Sequence, residues 1–311
     1  MFLSNFLTIG QQVLVLFILI AIGFICGKKD VITEHASKKM TDIVLYIVTP
    51  CVMISAFQRE FSFQTLELLL VAVATASVIL ALSILIAHLV LHDSDESRRR
   101  VIRFAVVFSN CGFMSLPLQK ELLGDDGWFF GSIFVAVFNI FSWTYGLAEM
   151  SGDAKQLSFK RLLLNPGLLG VTAAVILFVC RVTLPPVILQ PVTHLANLNT
   201  PIPMLIIGFY LSQAKLRDAF TNGRIYLAMA LRLILIPVLA ALGMSLLKLD
   251  RTMIIAFTIA CSAPCAASTT MFAAKFNRDV SLSVSVTAAS TVISILTMPL
   301  IVSAVWTFIY A

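Results

Sequence analysis

The residues able to do chemistry in this sequence sit where apolar stretches are interrupted. One interruption reads Ser109-Asn110-Cys111-Gly112-Phe113-Met114-Ser115-Leu116-Pro117. A second reads Cys261-Ser262-Ala263-Pro264-Cys265-Ala266-Ala267-Ser268-Thr269-Thr270. Gly and Pro break a helix and free backbone N–H and C=O groups. In apolar surroundings such groups are costly unless a ligand, an ion or water meets them. The Asn110 amide can donate to a carboxylate, and the hydroxyls of Ser109, Ser262, Ser268 and Thr269 can meet a substrate or a cation. Half-helix N-termini at the breaks add positive dipole ends that favour an anion. Gly112, Pro117 and Pro264 join this candidate substrate-binding set as the chain-breaking residues. Arg232 stands alone in a long apolar stretch, where it can attract an anion into a cavity or snorkel to the surface. Met53 and Met204 lie near Pro50 and Pro201, placed either to line the wall of a site or simply to pack.

Equally informative is what the interruptions lack. Of 16 Asp and Glu, none falls at the centre of an apolar stretch; Asp42, Glu67, Glu121 and Glu149 are all near ends. His88 also lies near an end. Exchange of sodium for protons needs buried carboxylates, so that chemistry is disfavoured. A membrane-embedded enzyme would need a buried Asp pair, a His cluster or a Ser–His arrangement, and none is present. The Asp125-Asp126 pair reads as a solvated turn. Six cysteines (Cys26, Cys51, Cys111, Cys180, Cys261, Cys265) fall inside apolar stretches without C-x-x-C spacing, which reads as packing, not disulfides or metal. No cofactor or metal is expected. Coupling to sodium held by carbonyls and hydroxyls, coupling to a proton, and no coupling all remain open.

The elements that must hold these residues follow from composition. The chain has 311 residues, 59% apolar and 12% charged, with a mean hydropathy of +0.97. So few charges cannot cover a water-exposed surface, so the fold must face lipid. A bilayer core needs about 20 apolar residues per helix. That rule predicts ten spans near 6–27, 37–57, 66–91, 101–120, 127–148, 167–184, 198–214, 223–247, 252–274 and 281–309. The first has no basic residue before it and is too long for a cleaved signal peptide, so it reads as a retained span. The formal charge of +6 would suggest nucleic acid only if it clustered on one face. Sixteen of the 22 Lys and Arg instead fall in loops after odd-numbered spans, and only five in the other loops. This bias predicts odd loops in the cytoplasm and both termini outside, in the inner (plasma) membrane.

Ten spans divide into residues 1–150 and 151–311. Thr49-Pro50-Cys51-Val52-Met53-Ile54 in span two and Thr200-Pro201-Ile202-Pro203-Met204-Leu205 in span seven share a pattern, and each half carries one interrupted helix. Five spans per repeat force the halves to be inverted across the membrane. Inverted repeats with helices broken at matching positions point to a secondary transporter. The predicted class is therefore an all-α polytopic membrane protein with broken crossover helices in spans four and nine.

Four stretches carry a family likeness: Asn110-x-Gly112-Phe113-Met114-x-Leu116-Pro117 with Gly124-x-x-Gly127; Leu164-Asn165-Pro166-Gly167; Ala263-Pro264 with Ala273-Ala274-Lys275-Phe276; and Ser290-x-x-x-Ser294-x-x-Thr297-x-Pro299. In their order along nearly the whole chain, the sequence resembles the auxin efflux carrier superfamily, bacterial branch, related to plant PIN carriers. The resemblance implies a fold similar to sodium/proton antiporters and bile-acid transporters. Spans 1, 2, 6 and 7 would form a scaffold, often dimeric, and spans 3–5 and 8–10 a mobile transport bundle. It also implies that Asn110 contacts a substrate carboxylate. Ala263-Pro264-Cys265 departs from the PIN span-nine signature, and the long PIN central loop is missing. The expected activity is alternating-access transport of a small organic anion or weak acid, a mono- or dicarboxylate or an auxin-like acid. A sodium-coupled bile-acid-type symporter and a transport-inactive sensor are the other expectations.

Overall fold

The computed structural model describes residues 2–153, 166–214 and 223–310. The regular elements among them are helical, apart from one isolated antiparallel bridge between Ser109 and Cys265. In chain order the helices are α1 (Phe2–Lys28), α2 (Glu34–Ala56), α3 (Phe63–Val90), α4 (Glu96–Val107), α5 (Cys111–Ser151), α6 (Pro166–Val179), α7 (Pro186–Asn197), α8 (Pro201–Gln213), α9 (Gly223–Leu246), α10 (Arg251–Ser262), α11 (Ser268–Lys275) and α12 (Val280–Tyr310). Lys155, Lys160, Arg161, Lys215 and Arg217, used in the loop count, lie outside the described residues, as do Leu164 and Asn165 of the second family stretch.

Among the described residues, seven helical runs are long and apolar enough to cross a membrane: α1, α2, α3, α5, α7 with α8, α9 and α12. The expected spans four and nine are each assembled from two shorter pieces. α4 and the start of α5 build one, α10 and α11 the other. α5 itself is 41 residues long, about twice what one crossing needs. It bends sharply at Gly124 (φ 63°, ψ −143°), a left-handed backbone that an L side chain disfavours. One helix was not expected. Residues 185–197 lie between the expected sixth and seventh spans, yet α7 forms there. Pro185 precedes its first turn, and Pro186 opens it, where a missing N–H costs nothing.

Prolines within helices are accommodated by a repeated device. Widened π-turns at Val44–Val48, Cys111–Ser115 and Leu231–Leu235 each end two residues before a proline: Pro50, Pro117 and Pro237. Proline lacks an N–H and crowds the preceding turn, and an extra residue per turn relieves both problems. The Val44 carbonyl accepts from both Thr49 N–H, closing the widened turn, and Thr49 Oγ1 at 2.9 Å. Pro117 and Gly112 therefore lie inside a helix and not in the gap itself. This corrects the expected position of the first break, which the structure confines to residues 108–110.

α1 packs along α8, and α2 packs on α6 and α7. Glycines set the first approach: a Cβ at Gly23 would meet the Leu205 backbone, and one at Gly208 would meet the Ile20 carbonyl. α10 touches α5, α9 and α12, and α12 also packs along α1. Basic side chains gather at one end of this group. Arg278 donates to the Met150 and Ser151 carbonyls at 2.8 Å each, Arg100 to the Glu149 carbonyl, and Arg224 pairs with Asp93 at 2.9 Å. The Arg98 backbone N–H holds the Asp95 carboxyl below its ordinary pKa, and the Arg100 side chain does the same for Glu96.

Candidate functional site

The two broken helices meet at their breaks. α4 starts on an Asp95 N-cap, runs inward and ends at Val107; α10 starts on an Asp250 N-cap and ends at Ser262. Beyond each end the chain is extended, and the two extended segments pair antiparallel. Asn110 N–H donates to the Pro264 carbonyl at 2.7 Å, and Ala266 N–H donates to the Phe108 carbonyl at 2.9 Å. Cys265 N–H donates to Ser290 Oγ of α12 at 3.1 Å. Interior backbone has to find partners, and each break supplies them for the other. Pro264 suits this place because it offers a carbonyl without adding an N–H to satisfy.

Arg232 lies beside this pairing. It is carried by the π-turn of α9 and is 2% exposed. One guanidinium nitrogen donates to the Val106 and Val107 carbonyls at 3.0 and 3.1 Å, and the other donates to the Cys261 carbonyl. These acceptors belong to the last turns of α4 and α10. Of the two alternatives read from the sequence, snorkelling is therefore overturned: the side chain turns inward onto two helix C-termini. Among the described residues, no carboxylate lies within ion-pair distance of it, and its Nε has no hydrogen-bond partner.

Asn110 is 6% exposed. Its carbonyl accepts from Met114 N–H, so its backbone is engaged on both sides, while its side chain makes no cap for the helix that follows. Ser109 and Pro264 are buried at the pairing, and Ser262 and Thr269 are fully buried. The hydroxyls of Ser262, Ser268 and Thr269 have no hydrogen-bond partner among the described residues. Met53 and Met204 are both fully buried but in different clusters: Met53 packs with Val52 and Cys111, and Met204 with Leu16, Ile20 and Met114. No group of His, Cys, Asp or Glu among the described residues could hold a metal.

Two further polar residues belong to this region and escaped the sequence reading. Asn199, 3% exposed in the break between α7 and α8, donates from Nδ2 to the Gly112 carbonyl at 3.0 Å. Gln119 is fully buried and donates from Nε2 to the Ala256 carbonyl of α10 at 2.6 Å. The cue for Asn199 was the run Asn197-Leu198-Asn199-Thr200-Pro201, a polar break before a helix-starting proline. A polar cleft of about 600 Å³ opens away from the crossover, lined by His92, Asp93, Ser94, Arg99, Arg103 and Arg224. Its arginines are engaged: Arg99 with the Asp93 carbonyl, Arg103 with the Leu91 carbonyl and Arg224 with the Asp93 carboxylate.

Residues 8–302 match the family described as membrane transport protein. The chain belongs to this, the auxin efflux carrier family. An uncharacterized transporter of Methanocaldococcus jannaschii is 24% identical over 308 residues, covering 96% of this chain and 97% of that relative. This auxin efflux carrier family member is thus a multi-pass membrane transporter and not an enzyme.

Proposed function

We propose that the protein is a secondary active carrier for a small organic anion or weak acid, a mono- or dicarboxylate or an auxin-like acid, working by alternating access. The observation that carries this reading is the Arg232 guanidinium, buried at the crossover with no carboxylate partner among the described residues. A fixed buried positive charge cancels the negative helix ends that would otherwise repel an anion and attract a cation. The unengaged Asn110 amide adds donors of the geometry a carboxylate accepts, and free hydroxyls of Ser262, Ser268 and Thr269 add more.

In this reading the chain crosses the membrane ten times as two inverted repeats, residues 1–150 and 151–311. α1, α2, α6, α7 and α8 are the scaffold; the packing of α1 on α8 and of α2 on α6 supports that grouping. α3, α4, α5 and α9 to α12 form the moving bundle. The end where Arg98, Arg100, Arg224 and Arg278 gather faces the cytoplasm, in keeping with the charge bias of the loops.

A thermal-shift screen of the purified protein against organic acids, amines and neutral solutes tests the substrate class. Acids are expected to stabilise it; stabilisation by amines or neutral solutes alone would sink the reading. With a stabilising acid in hand, Asn110→Ala is expected to abolish its uptake into proteoliposomes while the protein still inserts. Wild-type uptake by that variant would remove Asn110 from the site.

A further inference from the structure

We infer that Arg232 is the resident cation of the crossover, standing where a coupling sodium ion would otherwise bind. The last turns of α4 and α10 bring carbonyl ends to one place. A helix C-terminus carries about half a negative charge, so two together present roughly one. The single positive charge of Arg232 meets them through three hydrogen bonds, to Val106, Val107 and Cys261. In carriers with broken helices, half-helix C-terminal ends and unwound carbonyls are the groups that hold the coupling cation. Here those oxygens are already taken by a guanidinium.

The substitution is permanent. The guanidinium is covalently part of α9, so this cation cannot dissociate as a bound ion would. The unpartnered side-chain oxygens flanking the second break are the hydroxyls of Ser262, Ser268 and Thr269, and among the described residues no carboxylate is within ion-pair distance of Arg232. Hydroxyls alone, next to a fixed cation, make a poor sodium site. The helix ends are therefore balanced without first loading an ion, and sodium binding is not part of the crossover's cycle. This builds on the carrier reading, but its test needs no substrate.

The test compares thermal unfolding of the full-length purified chain in equal concentrations of sodium chloride and N-methyl-D-glucamine chloride. Wild type is expected to show the same Tm in both. Arg232→Ala leaves two helix ends uncompensated, so its Tm should fall by roughly 5–10 °C in the sodium-free buffer. Sodium should restore part of that loss. Arg232→Lys keeps the charge without the fork, and should lie between the two with no response to sodium. If Arg232→Ala does not fold, wild type and Arg232→Lys carry the test. A sodium-specific rise in either of them overturns the inference. So does an Arg232→Ala protein that is as stable as wild type without sodium, or destabilised and deaf to it. Failure of the carrier reading would look different: no organic acid would shift the wild-type Tm.

Discussion

Asn110 and Asn199 are both buried amides at helix breaks, and they differ in one respect. The Asn199 side chain is engaged with the Gly112 carbonyl, whereas the Asn110 side chain caps nothing. Asn110→Ala should therefore leave stability within about 1 kcal/mol of wild type in thermal unfolding, even as it removes uptake. Asn199→Asp keeps the shape but sets a carboxylate against a carbonyl. Its expected cost is about 1–3 kcal/mol, read as a lowered Tm, and Asn199→Ser should recover part of it. Asn110 was legible because Gly112 and Pro117 announce a broken helix in an apolar run. The role of Arg232 was not, since no local pattern says which carbonyls, 126 and 29 positions away in sequence, a long side chain will reach. The one local hint was Pro237, which forces the π-turn that carries Arg232.

At the scale of elements, the breaks and most helix bounds follow from apolar runs and from Gly and Pro. α7 was missed because, at 12 residues, it falls short of the apolar run that a membrane span requires. The α1–α8 contact rests on glycines whose absent side chains let backbones touch. Gly23→Leu is expected to force these helices apart and to cost more than the usual 1–3 kcal/mol of overpacking, because the obstacle is backbone. Recovery of folded protein from membranes measures it. α4 offers a pH dependence. Asp95 and Glu96 have lowered folded-state pKa values, so their stabilising effect is complete above about pH 5 and is lost as pH falls through the lower folded values. The acid-induced drop in Tm below that point should be smaller in Asp95→Asn, which still caps the helix but does not titrate.

For the whole molecule, charge is sorted by end. Opposite the arginine-rich end, Arg59 pairs with Asp126 at 2.9 Å and lies over the Phe129 ring at 4.4 Å. Arg59 follows α2 in the proposed scaffold, and Asp126 belongs to α5 in the proposed bundle, so alternating access has to part them. A disulfide between Arg59→Cys and Asp126→Cys should stop uptake, and a reductant should restore it; undiminished uptake with the bond formed would argue against sliding of the bundle. The loop bias in Lys and Arg was readable from the sequence, while this cross-molecule pair was not, because it joins the turn after α2 to a residue of α5 that only folding brings alongside.

The backbone pairing of the two breaks also bears on how the protein is made. Asn110 and Pro264 lie roughly 150 residues apart. At ordinary rates of synthesis the first break waits about 10–30 s for its partner. Through that interval its exposed N–H and C=O groups need shelter that lipid cannot give. The N-terminal half made alone should therefore be degraded, and the two halves expressed together should rescue each other.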